Sequence, residues 1–143
     1  MQKHISIFLI GILLIFLGCS KDDNLGRRNP NLVPVDFAIT FNTNLPQYSM
    51  LQFPGNAIYE PNAGIRGIFV INTGTGIRAW EATDPNHPPS SCSTMQLNGV
   101  EVTCDCEDNI YNLYTGLAKA EKLPYPLLEY RANNTGNVIT VSN

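Results

Sequence analysis

Between Val35 and Val141, Gly, Pro and Asn cut the chain into short runs of β-branched and aromatic residues, too short for helices of ordinary length. Pro and Gly make up 21 of the 143 residues and are spread along the chain, as punctuation between short strands is. Val35–Phe41 alternates apolar and polar positions, the pattern of a strand with one buried face. Ile65–Asn72 (IRGIFVIN) fits a central strand, and Thr73-Gly74-Thr75-Gly76 turns it back into Ile77–Ala82 as a hairpin. Asn98-Gly99, between Met95–Leu97 and Val100–Val102, is the strongest short hairpin signal. Ile110–Tyr114 gives another strand. Leu127–Arg131 and Val138–Val141 form a last hairpin around Asn133-Asn134-Thr135-Gly136, read as turn chemistry. Residues 42–64 read as a loop in which Leu51, Phe53 and Ile58 are available for packing. Only Leu117–Lys122 is long enough for a helical turn. The expected class is all-β and antiparallel, a small sandwich or barrel with little helix.

The first 18 residues are of another kind. Lys3 and His4 precede an apolar run from Ile5 to Leu17, about the length of a signal-peptide core and short for a membrane span. Gly18-Cys19 and the polar SKDDN that follows resemble the lipobox of bacterial lipoproteins, with Phe16 where Leu is usual. That resemblance implies cleavage after Gly18, acylation of Cys19 and two or three chains that anchor firmly. An uncleaved signal anchor, with Cys19 an ordinary thiol, is the alternative. Lys21, Asp22 and Asp23 are similar to the charged tag that directs some lipoproteins to the outer face of the outer membrane. Residues 19–34 carry charge, Asn and Pro without periodicity and read as a lipid-anchored tether, leaving 35–143 as one domain. The cleaved chain has eight basic and twelve acidic side chains, scattered, which offers no track for nucleic-acid phosphates.

The chemistry-bearing residues fall within Asp84–Tyr130. Asp84-Pro85-Asn86-His87 leads to Cys92; an eleven-residue spacer leads to Cys104-Asp105-Cys106-Glu107-Asp108-Asn109-Ile110-Tyr111-Asn112. Thr115-Gly116 and Pro126-Leu127-Leu128-Glu129-Tyr130 follow. This layout resembles the Rieske iron–sulfur family over roughly residues 64–143, and more loosely over 35–63. There a C-x-H motif with an extra cysteine precedes C-x-C-H-G-S-x-F-[DN], then a Gly and a P-L-x-x-Y strand. The resemblance implies a small antiparallel β domain of Rieske type.

It does not imply the family's cofactor. A Rieske cluster needs two cysteines on one iron and two histidines on the other. Against the motif, Cys104 matches a cysteine ligand, Glu107 stands at a histidine position and Asp84 at the other cysteine. The remaining histidine position falls on Asn86, or on His87 if one residue is inserted. His4 lies in the cleaved segment, so His87 is the one histidine of the mature chain. Hard carboxylates replace thiolate poorly on such a centre, and the expectation is no cofactor.

Cys92 and Cys106 match the family's two extra cysteines, which there form a disulfide clamping the cluster-binding loops. The resemblance implies that pairing here, with Cys92–Cys104 as the competitor and a strained C-x-C bond as the third option. An exported protein has the oxidising compartment required. The Cys92–Cys106 loop spans fifteen residues, for which chain entropy gives about 3 kcal/mol. That pairing leaves Cys104 as a lone thiol at the loop tip.

Two further constellations share these loops. Asp84, Asp105, Glu107 and Asp108, with His87 and Cys104, could gather round zinc or another divalent ion, and calcium would take carboxylates alone. The plain reading is a solvated acidic tip. Cys104 with His87 could be a nucleophile and base, but no orienting residue or oxyanion site accompanies them. His87, among Pro85, Pro88 and Pro89, reads as an exposed loop residue, while Trp80 and Tyr111 read as core. The expected role is a non-enzymatic binding or structural module, anchored in the bacterial envelope and most plausibly in the outer membrane. A [2Fe–2S] electron-transfer protein and a mononuclear metal protein are the alternatives.

Overall fold

The computed structural model describes residues 29–120 and 122–143. The segment read as a signal peptide, Cys19 and the expected tether up to residue 28 lie outside the described residues. Nine strands are present: β1 (Ala38–Asn42), β2 (Ala57–Glu60), β3 (Ile68–Asn72), β4 (Ile77–Glu81), β5 (Gln96–Asn98), β6 (Glu101–Thr103), β7 (Ile110–Asn112), β8 (Glu129–Thr135) and β9 (Val138–Ser142). They form a six-stranded sheet, β1-β9-β8-β4-β3-β2, and a three-stranded sheet, β5-β6-β7. All pairings are antiparallel, so the expected all-β class is the observed one.

Strand β3 explains the β-branched run that marks it in the sequence. Ile68 and Val70 face one apolar cluster with Phe41, Leu51, Ala79, Ile139 and Val141. Phe69 and Ile71 face a second with Trp80, Met95, Val102, Tyr111 and Leu113, beneath the small sheet. A strand covered on both faces needs apolar side chains in both registers. Trp80 also donates its indole N–H to the Leu113 carbonyl (2.8 Å), tying the large sheet to the segment after β7. Gly116 has φ +73°, and a Cβ there would lie 2.5 Å from the Trp80 ring, so this turn needs glycine for conformation and for space.

Several local expectations change. The supposed loop 42–64 contains β2 and a 3₁₀ turn, Ser49–Gln52; Leu51 and Ile58 are buried there, but Phe53 is exposed. Strand β3 starts at Ile68 and not Ile65, because the N–H groups of Ile65 and Arg66 are bound by the buried Glu81 carboxylate. Two of the Gly-containing hairpins turn later than expected, the first by one residue and the last at the end of the expected Asn133–Gly136 stretch. Asn98 pairs with Glu101 and Thr135 with Val138, so the two-residue loops are Gly99-Val100 and Gly136-Asn137. Each glycine takes the first loop position with φ near +60°, as a type II′ turn requires, and Asn133-Asn134-Thr135 extends β8 instead of turning it. Residues 117–120 form no helical turn; Ala118 bridges to Tyr111 alongside β7. Within the stretch read as a tether, Leu32 is buried in the first cluster and Asn29 is buried against Pro85.

Candidate functional site

Two loops meet at one end of the small sheet. The first continues β4 past its end: Met95 N–H bonds the Ala82 carbonyl, Thr83 bridges Thr94, and Asp84 N–H bonds the Ser93 carbonyl (2.9 Å). This ladder closes the loop 84–93. The second loop, 104–109, is closed by Cys104 N–H to the Asn109 carbonyl and Asp108 N–H to the Cys104 carbonyl. Asp108 adopts φ +55° at the position where the Rieske motif has glycine, a conformation Asp tolerates better than most residues. A Cys92–Cys106 disulfide joins the loops, the pairing the resemblance implies. Cys104 stays a thiol.

The first loop is organised round the Asp84 carboxylate, which is fully buried. Its Oδ1 accepts the Asn86 N–H (2.8 Å) and the Tyr111 hydroxyl (2.7 Å), and its Oδ2 accepts the Asn109 side-chain N–H (2.9 Å). Burial, reinforced by the Asp84 hydrogen bond, pushes the Tyr111 phenol well above its usual range, so it stays a donor. Asn86 donates to the Tyr111 hydroxyl and the Tyr125 carbonyl, both at 2.7 Å, and accepts the Tyr125 N–H. Asn29 and Asn31 both donate to the Pro85 carbonyl from outside. The sequence reading missed Tyr125, Asn29 and Asn31 altogether. Partners 39 to 56 positions away leave no local signal in the sequence.

Of the two candidates for the first-loop histidine position, His87 is the one that turns inward. It is 8 % exposed, not the exposed loop residue its proline neighbours suggest. Its Nδ1 lies 2.9 Å from the Pro88 carbonyl and its Nε2 3.2 Å from the Cys104 sulfur. A carbonyl only accepts, so Nδ1 carries the proton and the Nε2 lone pair faces the thiol. Asp84 Oδ2 is 3.8 Å from the same nitrogen. Cys104 is likewise buried and not at the loop tip. Burial pushes its thiol up to about 11; the backbone N–H of Cys106 directed at the sulfur offsets this in part, while the facing Asp84 carboxylate adds to it. The raised value argues against an activated nucleophile.

Glu107 does not join the group. Asp105, Glu107 and Asp108 are exposed, and the expected gathering of four acids with His87 and Cys104 reduces to Asp84 alone, itself occupied by three donors. Among the described residues, the side chains close enough together to share an ion are His87, Cys104 and Cys106, with ligand atoms within 4.8 Å of one another, and Cys106 is held in the disulfide.

No family model matches the chain, and no curated protein matches it. Among solved structures it is distantly similar to a chain of the complex of reduced oxygenase and oxidized ferredoxin in carbazole 1,9a-dioxygenase, with 18 % identity and a TM-score of 0.48, covering 76 % of this chain and 93 % of that one. The ferredoxin of carbazole 1,9a-dioxygenase from Nocardioides aromaticivorans IC177 is similar at 18 % identity and a TM-score of 0.45, covering 76 % and 96 %. The apo form of a quaternary ammonium Rieske monooxygenase is similar at 12 % identity and a TM-score of 0.49, covering 81 % of this chain and 35 % of that one. These likenesses concern the fold and are distant.

Proposed function

We propose that this chain is a lipid-anchored envelope protein whose Rieske-like domain keeps the loop clamp and holds no [2Fe–2S] cluster. It works as a non-enzymatic binding or structural module at a membrane surface, in the outer membrane by the resemblance of its first residues. The observation that carries the cluster-free reading is the state of Asp84. At the place of a thiolate ligand stands a buried carboxylate whose oxygens already accept from Asn86, Tyr111 and Asn109. Withdrawing it to bind iron would strand the buried Tyr111 hydroxyl, at about 1–3 kcal/mol, and two half-buried amide donors besides. The donors left near the loops, His87 and Cys104, are half of what a Rieske cluster needs.

Purification without oxygen, followed by iron and acid-labile sulfide assays, tests the reading; a colourless protein with neither is expected, and stoichiometric iron and sulfide refutes it. Metabolic labelling with palmitate tests the anchor. Label that is lost in Cys19→Ala supports acylation, and equal label in both proteins contradicts it.

A further inference from the structure

We propose that opening the Cys92–Cys106 disulfide converts the loop end into a Cys₃His site for a single zinc-class ion, with Cys92, Cys104, Cys106 and His87 as ligands. The inference rests on the reading that these loops hold no [2Fe–2S] cluster. A ring nitrogen of His87 and the sulfurs of Cys104 and Cys106 lie within 4.8 Å of one another, with Nε2 3.2 Å from the Cys104 sulfur, and Cys92 Sγ is bonded to Cys106 Sγ. In a tetrahedral site with metal–sulfur bonds near 2.3 Å, neighbouring sulfurs stand about 3.8 Å apart. The three contacts among His87, Cys104 and Cys106 therefore need little change, whereas Cys92, which lies outside that group, must part from Cys106 by roughly 2 Å and swing its sulfur towards Cys104 and His87.

Three features outside the ligand set favour an ion here. His87 gives its Nδ1 proton to the Pro88 carbonyl, which leaves the Nε2 lone pair aimed at the sulfurs, the arrangement usual for a metal-bound histidine. The Cys104 sulfur also faces the first loop, 3.8 Å from the Cys92 carbonyl. The disulfide is reachable, since Cys92 is exposed and Ser90 Oγ lies 3.3 Å from its sulfur. The carboxylates Asp105, Glu107 and Asp108 are not needed, and Asp84 keeps its own partners. Soft thiolates with one imidazole select zinc over calcium or magnesium.

The step balances with a dithiol reductant. The reductant is oxidised to its disulfide, and the Cys92–Cys106 bond takes up two electrons and two protons to give two thiols. The ion then displaces the thiol protons of Cys92, Cys104 and Cys106, while His87 binds neutral. The Cys104 thiol is present throughout, so the disulfide acts as a lock on two of the four ligands.

Cobalt(II) titration of the full-length protein, with and without a water-soluble phosphine to cleave the disulfide, tests this directly. The reduced protein should bind one equivalent and show the intense visible bands of tetrahedral cobalt with thiolate charge transfer; the oxidised protein should show neither. His87→Ala and Cys104→Ser should each weaken binding beyond the roughly 10–100-fold that loss of an outer-sphere partner costs. Cys92→Ser leaves Cys106 free in a chain that needs no reductant, and should bind cobalt under air with reduced affinity. Absence of tetrahedral cobalt in both the reduced protein and Cys92→Ser overturns the proposal, as does equal binding by the oxidised and reduced forms. Stoichiometric iron and sulfide in the purified protein would instead overturn the cluster-free reading beneath it.

Discussion

The two loops at the end of the small sheet are built on different chemistry. Loop 84–93 is a polar knot: one buried carboxylate, four asparagines, a tyrosine hydroxyl and the Pro85 and Tyr125 backbone satisfy one another. Loop 104–109 is a sulfur turn, with a buried thiol, N–H groups directed at it and a left-handed residue closing the bend. The disulfide joins them. The comparison teaches that two loops joined by one disulfide can hold their shapes in different ways: the first by hydrogen bonds gathered on one carboxylate, the second by a turn closed round a buried thiol.

If the first loop is held by Asp84, its removal should have the largest effect. Asp84→Ala leaves the Tyr111 hydroxyl, the Asn109 amide and the Asn86 N–H without their acceptor, and should cost about 3–5 kcal/mol in chemical denaturation. A cost under about 1 kcal/mol would mean the knot contributes little. Asp84→Asn keeps shape but offers one acceptor oxygen in place of two, and should fall between. Breaking the clamp comes next: Cys92→Ala with Cys106→Ala, or reduction, should cost about 3 kcal/mol.

The sulfur turn has its own signature in pH. Cys104 ordinarily titrates near 9 and is pushed to about 11 in the fold. A raised folded value means the contribution is fully present below pH 9, and is lost as the unfolded thiol ionises first and pH rises towards 11. The decline should reach about 2–3 kcal/mol, and the part that begins at pH 9 should vanish in Cys104→Ser. A flat profile in that window would mean the thiol is not desolvated. Tyr111 and Tyr130, both raised, add a further decline above about pH 10 that the variant retains. The smallest effect belongs to Glu107→Ala, within about 0.5 kcal/mol, because this side chain is exposed. A loss comparable to that of Asp84→Ala would put Glu107 inside the site.

What the sequence made legible follows how locally each feature is encoded. Strand β3 and the hairpin to β4 are written in consecutive residues, as are the later hairpins, so their existence was readable. The exact turns were not, because Gly99 and Gly136 serve a type II′ turn as well as the Asn-Gly or Thr-Gly pairing that precedes it. Strand β2 was hidden among Pro, Gly and Asn, since pairing with β3 and not propensity makes it a strand. At the site, cysteine spacing pointed to the clamp. The inward turn of His87 and the knot round Asp84 depend on Tyr111, Asn109 and the distant Tyr125, which no local pattern announces. The same is true of Glu81, three residues earlier. It is buried and accepts from Ile65, Arg66, Thr83 and the Tyr130 hydroxyl, a partner 49 positions away.

The most direct measurement of the central claim is reconstitution of the unfolded and refolded protein with ferrous iron and sulfide under anaerobic conditions, followed by dithionite reduction and low-temperature EPR. If Asp84 and Glu107 cannot replace the missing thiolate and imidazole, no rhombic signal of a reduced [2Fe–2S] centre appears and iron washes out on desalting. A stable signal near one cluster per chain would contradict the account.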